Sequence, residues 1–321
     1  MRVEHSSVEF VKEENILKKI ELAGRTCYNS QNLITEDSYK KFVKKIIERG
    51  HTSVIEHSNI IIKYYQTYEI EDVEFVYEWL LARKGATNAH VWITFEEEDG
   101  NYFIMMSGNA RAWVDFLQQN VDEHLLDSDD HIKNIYLQFH EKYPELFPED
   151  RGKPWTDTEV VFLTEKEAAD INIVHTSYTF KVVTSRDITH QIVRHRTLSF
   201  SQQSQRYINF SLDKNGGEIG YIEPRIDKNS QAYEDWFDEC QDIENLYNGF
   251  IDDGLVPEVA RCILPNCAET IIYVTGHYLD WQHFIDLRAD SHAQEEIQQI
   301  AKKIDKNIKN CYTDNEEINN G

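Results

Sequence analysis

The sequence predicts an α/β (α+β) fold, a mixed sheet flanked by helices. Three observations carry that reading. Apolar stripes at helical spacing alternate irregularly with β-branched and aromatic runs. Of the 321 residues, 40% are hydrophobic, enough for a sizeable core. No stretch nears the roughly 18 consecutive apolar residues that would cross a bilayer, so no membrane association is expected.

Taken in order, TEDSYKKFVKKIIERG (residues 35–50) carries Phe42, Val43, Ile46 and Ile47 on one face, with Thr35 as its cap and Gly50 as its stop. The β-branched run Ile60 to Ile62 marks a strand fed by the loop HTSVIEH. A second helix covers IEDVEFVYEWLLARKG and stops at Gly85. VWITFEE and NYFIMMS read as two strands about the turn EEDG, followed by the helix SGNARAWVDFLQQ. From Asp127 to Lys153 charge density rises and Pro144 and Pro148 appear, with Pro154 just beyond, which predicts a mobile excursion.

The strand TSYTFKVV then leads into TSRDITHQIVRHR. There Thr184 and Asp187 have capping-box spacing, and Ile188, Ile192 and Val193 form an apolar stripe. This puts Arg194 to Arg196 on the last turn of a helix, at the negative end of its dipole. An acidic helix (231–252), a short helix from Pro257, the strand TIIYVTG and two helices across LDWQHFIDLRADSHAQEEIQQIAKKI complete the chain before a polar tail, TDNEEINNG. SGNARAWVDFL and TGHYLDWQHFI share a layout of strand end, Gly, then helix, with Trp and Phe in register, and HTS occurs at both His51 and His175.

Fifty-seven acidic against 33 basic residues give a net charge of -24, which disfavours loose binding to nucleic acid or anionic membrane. Five cysteines without a C-x-x-C pair, and a start lacking a signal-peptide run, predict a reduced, cytoplasmic protein with no metal site. Against that charge, RHRTLSFSQQSQRY (residues 194–207) concentrates cations among Ser and Gln. On a helix Gln191 and Arg194 share a face, and Ser204 and Arg206 follow in the loop. Two guanidinium forks with amide and hydroxyl partners suit a phosphate and a heterocycle edge. The plainer alternative is a cationic helix end making surface ion pairs, but that has no need of two Ser and three Gln. No G-x-S-x-G elbow, G-x-G-x-x-G or P-loop is present, so a hydrolase triad and a backbone phosphate cradle are both disfavoured.

Arg194-His195-Arg196, seven residues, Ser204, then Gln-Arg-Tyr resembles the signature of the flavin-dependent thymidylate synthases. HTSVIEH (51–57) and the stretch from ARCILP to LRADSHAQ (260–294) resemble the same family in the same order. The resemblance covers about residues 1–65 and 176–303 and implies one catalytic domain over 1–321, interrupted by an insertion at about 66–174. It further implies reductive methylation of dUMP to dTMP, with methylenetetrahydrofolate as carbon donor, NADPH as reductant and FAD as cofactor, in a homotetramer whose sites are shared between subunits.

Carried over residue by residue, the resemblance puts Gln191, Arg194, Gln202, Gln203, Ser204, Arg206, Arg261 and Arg288 at the dUMP site. Arg288 and Ser204 are the catalytic candidates, Ser204 as an oriented hydrogen-bond partner. His51, Ser53, Glu56, Arg194, His195, Arg196, Thr197, His277 and His283 are assigned to FAD. Two departures stand out: Ser201-Gln202 where the family often has Asn-Glu, and His277 where Asn is common, while Asn109 and Arg111 of NARAW resemble the usual sequence there. They keep open the transfer of a different one-carbon group to a pyrimidine nucleotide, beside a non-enzymatic nucleotide-binding protein.

Overall fold

The computed structural model describes residues 1–67, 69–87, 90–122, 130–148, 158–212 and 216–313. In chain order the elements are β1 (Arg2–Glu4), β2 (Ser7–Phe10), α1 (Ile16–Thr26), α2 (Ser38–Glu48), β3 (Ile60–Thr67), α3 (Ile70–Thr87), β4 (Trp92–Glu98) and β5 (Asn101–Gly108). Next come α4 (Ala110–Asp122), α5 (Asp130–Lys142), β6 (Val160–Leu163), α6 (Glu165–Ile171), β7 (Ser177–Ser185), α7 (Arg186–Ile192) and β8 (Ser199–Gln202). The remainder is β9 (Gly220–Ile222), α8 (Gln231–Asp252), α9 (Pro257–Ala260), β10 (Glu269–His277), α10 (Tyr278–Arg288) and α11 (Glu295–Thr313). Short 3-10 turns at Thr52–Glu56 and Ile173–His175 precede β3 and β7.

The fold is α+β. Parallel and antiparallel pairing are both present but divided: two antiparallel four-stranded sheets, ordered β2-β7-β10-β8 and β4-β5-β3-β6, and a small parallel pair β1-β9. Residues 66–174 therefore build most of a second sheet, joined to the first part of the chain through β3. Its core includes Val76, Leu80, Met106, Trp113 and Phe116, and takes in Leu17, Ile20 and Val43 of α1 and α2. Beneath the other sheet α11 presents Ile297, Ile300, Ala301, Ile304 and Ile308, a helical stripe facing Phe180, Trp281 and Phe284. Each fully buried side chain of this kind contributes about 1.5–3 kcal/mol. Among the described residues no helix is long and apolar enough to cross a membrane.

The hairpin β4-β5 turns where expected, with Asp99 at φ 50° and Gly100 at φ 78°, the left-handed pair that matches strand twist. Several expectations are corrected. The position before α2 is held by Asp37, not Thr35, whose N–H instead donates to Ser38 Oγ at 2.9 Å. Helix α3 continues past Gly85 to Thr87. Thr184 caps nothing: the β7-β10 ladder extends through Ser185, and the Thr184 hydroxyl bonds Ser6 Oγ at 3.0 Å. Of the stripe on α7, Val193 is exposed.

The proline-rich excursion contains α5, whose Ile132, Ile135, Tyr136 and Phe139 are buried at helical spacing, followed by buried Leu146 and Phe147. Its apolar periodicity outweighs its charge density. Residues 123–129 and 149–157, with Pro154, lie outside the described residues, as does the tail beyond Thr313.

Candidate functional site

Helix α7 ends at Ile192, so Arg194 to Arg196 stand in the turn beyond it rather than on its last turn. Two successive backbone bonds shape that turn, His195 N–H to Ile192 O at 3.2 Å and Leu198 N–H to His195 O at 3.0 Å. Leu198 and His195 point inward, leaving Arg194, Arg196 and Thr197 exposed. Leu198 lies directly over Gly276, where an added Cβ would come within 2.2 Å of Leu198 Cδ2. The glycine is what lets the turn close onto β10.

His195 is the uncharged member of the cationic turn. Arg288 Nε donates to its Nε2 at 2.9 Å, so that nitrogen carries a lone pair. Its ring packs edge-on to Phe284 at 4.7 Å, with His283 at 6.0 Å. Burial, then the positive charge of Arg288, then His283 push its pKa down to about 4. Arg288 also donates from Nη2 to Gln191 O at 3.1 Å, while Gln191 Nε2 donates to Gln294 Oε1 at 2.7 Å. The ends of α7 and α10 and the start of α11 meet here.

A second group gathers past β8. Gln203 N–H bonds Ile271 O at 2.8 Å and Ser204 N–H bonds Cys27 O at 3.1 Å. Ser204 Oγ accepts the Arg206 N–H at 3.3 Å, an orienting arrangement. Among the described residues neither a histidine nor a carboxylate is hydrogen-bonded to it. Arg206 Nε meets Glu258 Oε2 at 2.9 Å, and Arg261 Nε donates to the Glu258 carbonyl at 3.2 Å. Burial and then the charge of Arg261 lower the pKa of Arg186, so two guanidiniums are held in mutual repulsion. Gln202 turns away from this group: its Nε2 donates to Thr189 Oγ1 at 2.9 Å and Thr270 Oγ1 at 3.3 Å, tying α7 to the sheet.

A third group lies at the other end of β8. Glu56 accepts from Arg111 Nη1 at 2.6 Å on one oxygen and from Ser199 Oγ at 3.0 Å on the other. His51 and Ser53 are exposed and, with Tyr28 and Arg111, line an open cleft of about 420 Å³. Nearby, the His277 ring lies tilted against Trp92 at 6.2 Å, its backbone N–H donates to Asp280 Oδ2 at 3.3 Å, and burial pushes its ring down to about 4. Its buried Nδ1 lacks a partner among the described residues. Burial raises the Asp280 carboxyl against a hydrogen bond from Thr197. Exposed Arg196, with the hydroxyl and imidazole groups of Ser53 and His51 in the open cleft, could hold a phosphate-bearing cofactor.

The predicted residues thus fall into three groups: Gln191, His195, His283 and Arg288 where α7 and α10 end; Gln203, Ser204, Arg206 and Arg261 past β8; and His51, Ser53 and Glu56 toward the other end of β8, with exposed Arg194 and Arg196 on the turn leading into the strand. Sequence reading overlooked Arg186, whose proximity to Arg261 is visible only in the fold, and the tie between Arg111 and Glu56. The first left no local signal; the second had one in NARAW.

Fold and site define an α+β protein that collects cations and polar donors around one short strand. The family model for thymidylate synthase complementing protein matches residues 9–81 and 171–312, and the chain belongs to that family. A flavin-dependent thymidylate synthase of Geobacter sulfurreducens is 40% identical over 131 residues, 40% of this chain and 55% of its own length. One from Pyrococcus furiosus is 40% identical over 132 residues, 40% of this chain and 53% of its own. The chain spans about half the length of the curated relatives it matches. A crystal structure of the UMP/dUMP methylase PolB from Streptomyces cacaoi, bound with 5-Br dUMP, aligns over 95% of this chain and 90% of that one at 14% identity and a TM-score of 0.39.

Proposed function

We propose that the protein is a flavin-dependent thymidylate synthase, converting dUMP to dTMP with methylenetetrahydrofolate as carbon donor, NADPH as reductant and FAD as cofactor. The observation that carries the reading is the convergence of Arg206 and Arg261 on Glu258, with Arg186 held below its usual value by burial first and by Arg261 second. In a chain of net charge -24, like charges held together call for an anionic ligand, and a nucleotide phosphate meets guanidinium forks bidentately. Membership of the family supports the same ligand class.

In this reading Arg206 and Arg261 hold the phosphate, Gln203 and Ser204 orient the nucleotide, and Gln191, Arg194 and Arg288 face the base. Arg288 is braced by His195 and the Gln191 carbonyl. A guanidinium so fixed stays charged and stabilises negative charge developing on the uracil carbonyl. His51, Ser53, Glu56, Arg196, Thr197, His277 and His283 bind FAD. The flavin supplies the redox chemistry when bound. The same reading carries with it a homotetramer with sites shared between subunits. Five free cysteines fit a reduced, cytoplasmic setting.

The test is an absorbance titration of purified protein with FAD, then dUMP. Flavin bands that perturb on adding dUMP are expected; a colourless protein that takes up no FAD overturns the proposal. Because Gln202 is engaged by Thr189 and Thr270, transfer of a different one-carbon group is the second reading, and the product mass separates the two.

A further inference from the structure

The two four-stranded sheets are copies of one another. In one, Ile60 pairs with Gly108, Trp92 with Ser107 and Ile62 with Phe162; in the other, Tyr178 pairs with Gly276, Ser199 with Thr275 and Phe180 with Phe10. With β3 laid on β7, β5 on β10, β4 on β8 and β6 on β2, these registers coincide. The connections coincide too. Trp113 Nε1 donates to Ile60 O at 2.9 Å, and Trp281 Nε1 to Tyr178 O at 3.0 Å. Ser58 Oγ donates to Ile55 O and Thr176 Oγ1 to Ile173 O, both at 2.7 Å. Val91 sits on Gly108 as Leu198 sits on Gly276.

The halves also cross. His57 Nδ1 bonds Thr275 Oγ1 at 2.8 Å, and His175 Nδ1 bonds the matching hydroxyl, Ser107 Oγ, at 2.8 Å. The edge strands are exchanged, β2 of the first half completing the sheet of the second and β6 of the second completing that of the first. Reciprocal bonds and reciprocal strands are the signature of two like units about a two-fold axis.

Chemically the halves are unlike. Continuing the matched register past β4 and β8 sets Glu97 opposite Ser204 and Asp99 opposite Arg206; along α4 and α10 it sets Asp115 opposite His283. Where one half gathers cations, the other presents carboxylates. The loss runs the other way at the flavin-facing end, where Glu56 matches Val174 and Arg111 matches Leu279. We infer that the chain is a fused pair of units that have divided one site between them: the second half alone retains the anion-binding end, the first half alone retains the Glu56–Arg111 end, and each chain holds one nucleotide, not two. Glu56 joins the ends, gripping Arg111 of its own half and Ser199 of the other. This rests on the nucleotide reading above for the ligand's identity, but not for the count.

Equilibrium dialysis of the flavin-loaded protein with dUMP, and separately with inorganic phosphate, tests it. One dUMP per chain is expected. Arg206→Ala is expected to weaken binding at least a hundredfold and to leave no second site. The paired variant Glu97→Gln, Asp99→Asn, which touches only the other half, is expected to keep the count at one. Two nucleotides per native chain, one still held tightly by Arg206→Ala, or a count lowered by the paired variant would each overturn the inference. Phosphate bound once per chain without dUMP would keep the single site and refute the nucleotide reading; binding of neither would refute both.

Discussion

Protonation of His175 is expected to unlatch the two halves. The ring is fully buried, with Ser107 Oγ at 2.8 Å on Nδ1 and Thr94 Oγ1 at 2.7 Å on Nε2. One hydroxyl donates and the other accepts, which satisfies a neutral imidazole. Burial first, and the neighbouring His277 second, lower its pKa from 6.5 to about 4. Because the folded value is the lower one, the unfolded chain binds the extra proton. The stabilisation is complete above pH 6.5 and is lost as pH falls from 6.5 to about 4. At about 1.4 kcal/mol per tenfold change in proton affinity, the full loss is about 3 kcal/mol, of which about 2 kcal/mol is gone between about pH 7.5 and pH 5. His175→Gln removes the titration while keeping a donor and an acceptor. Urea unfolding of both chains gives the comparison. The variant is expected to be less stable at pH 7.5, with the gap narrowing by about 2 kcal/mol at pH 5. His57, His195 and His277, also pushed down to about 4, are present in both chains and cancel in the difference. So does Glu165, which burial raises and whose pH dependence runs oppositely. A gap that stays constant with pH would refute the neutral, buried imidazole.

Gly276→Ala drives a Cβ to 2.2 Å from Leu198 Cδ2 beneath the cationic turn. Overpacking there is expected to destabilise by about 1–3 kcal/mol and to lower the melting temperature, whereas an unchanged transition would mean that Leu198 does not close the turn. Arg288→Met removes the charge that is the second cause of the depressed His195 pKa. An imidazole NMR titration is expected to move His195 upward from about 4 without reaching 6.5, since burial remains; no movement would dissociate the pair.

Elements with strong signals at both ends were legible from sequence. Helix α8 runs from Gln231 to Asp252 as expected, with Ser230 Oγ accepting the Tyr233 N–H at 3.3 Å. The hairpin at Asp99-Gly100 was legible because a two-residue left-handed turn has few sequence solutions. Where prediction failed, a distant partner overrode a local cue. Thr184 and Asp187 have capping spacing, but Thr184 pairs with Thr270 on β10, and the ladder holds it extended. Charge and proline hid α5, whose burial depends on the sheet it packs under.

The site divides in the same way. Residue types declare a chemistry locally, so a run of arginines with Ser and Gln announces an anion in an acidic chain. Grouping depends on contacts the chain makes only once folded: Arg288 reaches His195 across 93 residues, and Glu56 reaches Ser199 across 143. The echo between NARAW and HYLDW was visible, but its meaning was not, because what matters is the exchange of edge strands that locks the two copies together. Once locked, the copies are no longer under equal constraint. A carboxylate at Asp99 costs nothing if the anion is bound only at Arg206, and it is useful in the left-handed turn where it stands. The acidity of the first half and the basicity of the turn at 194–196 are therefore two sides of one division, and Glu56 ties the two together, gripping Arg111 of one half and Ser199 of the other beside the reciprocal His57–Thr275 and His175–Ser107 bonds.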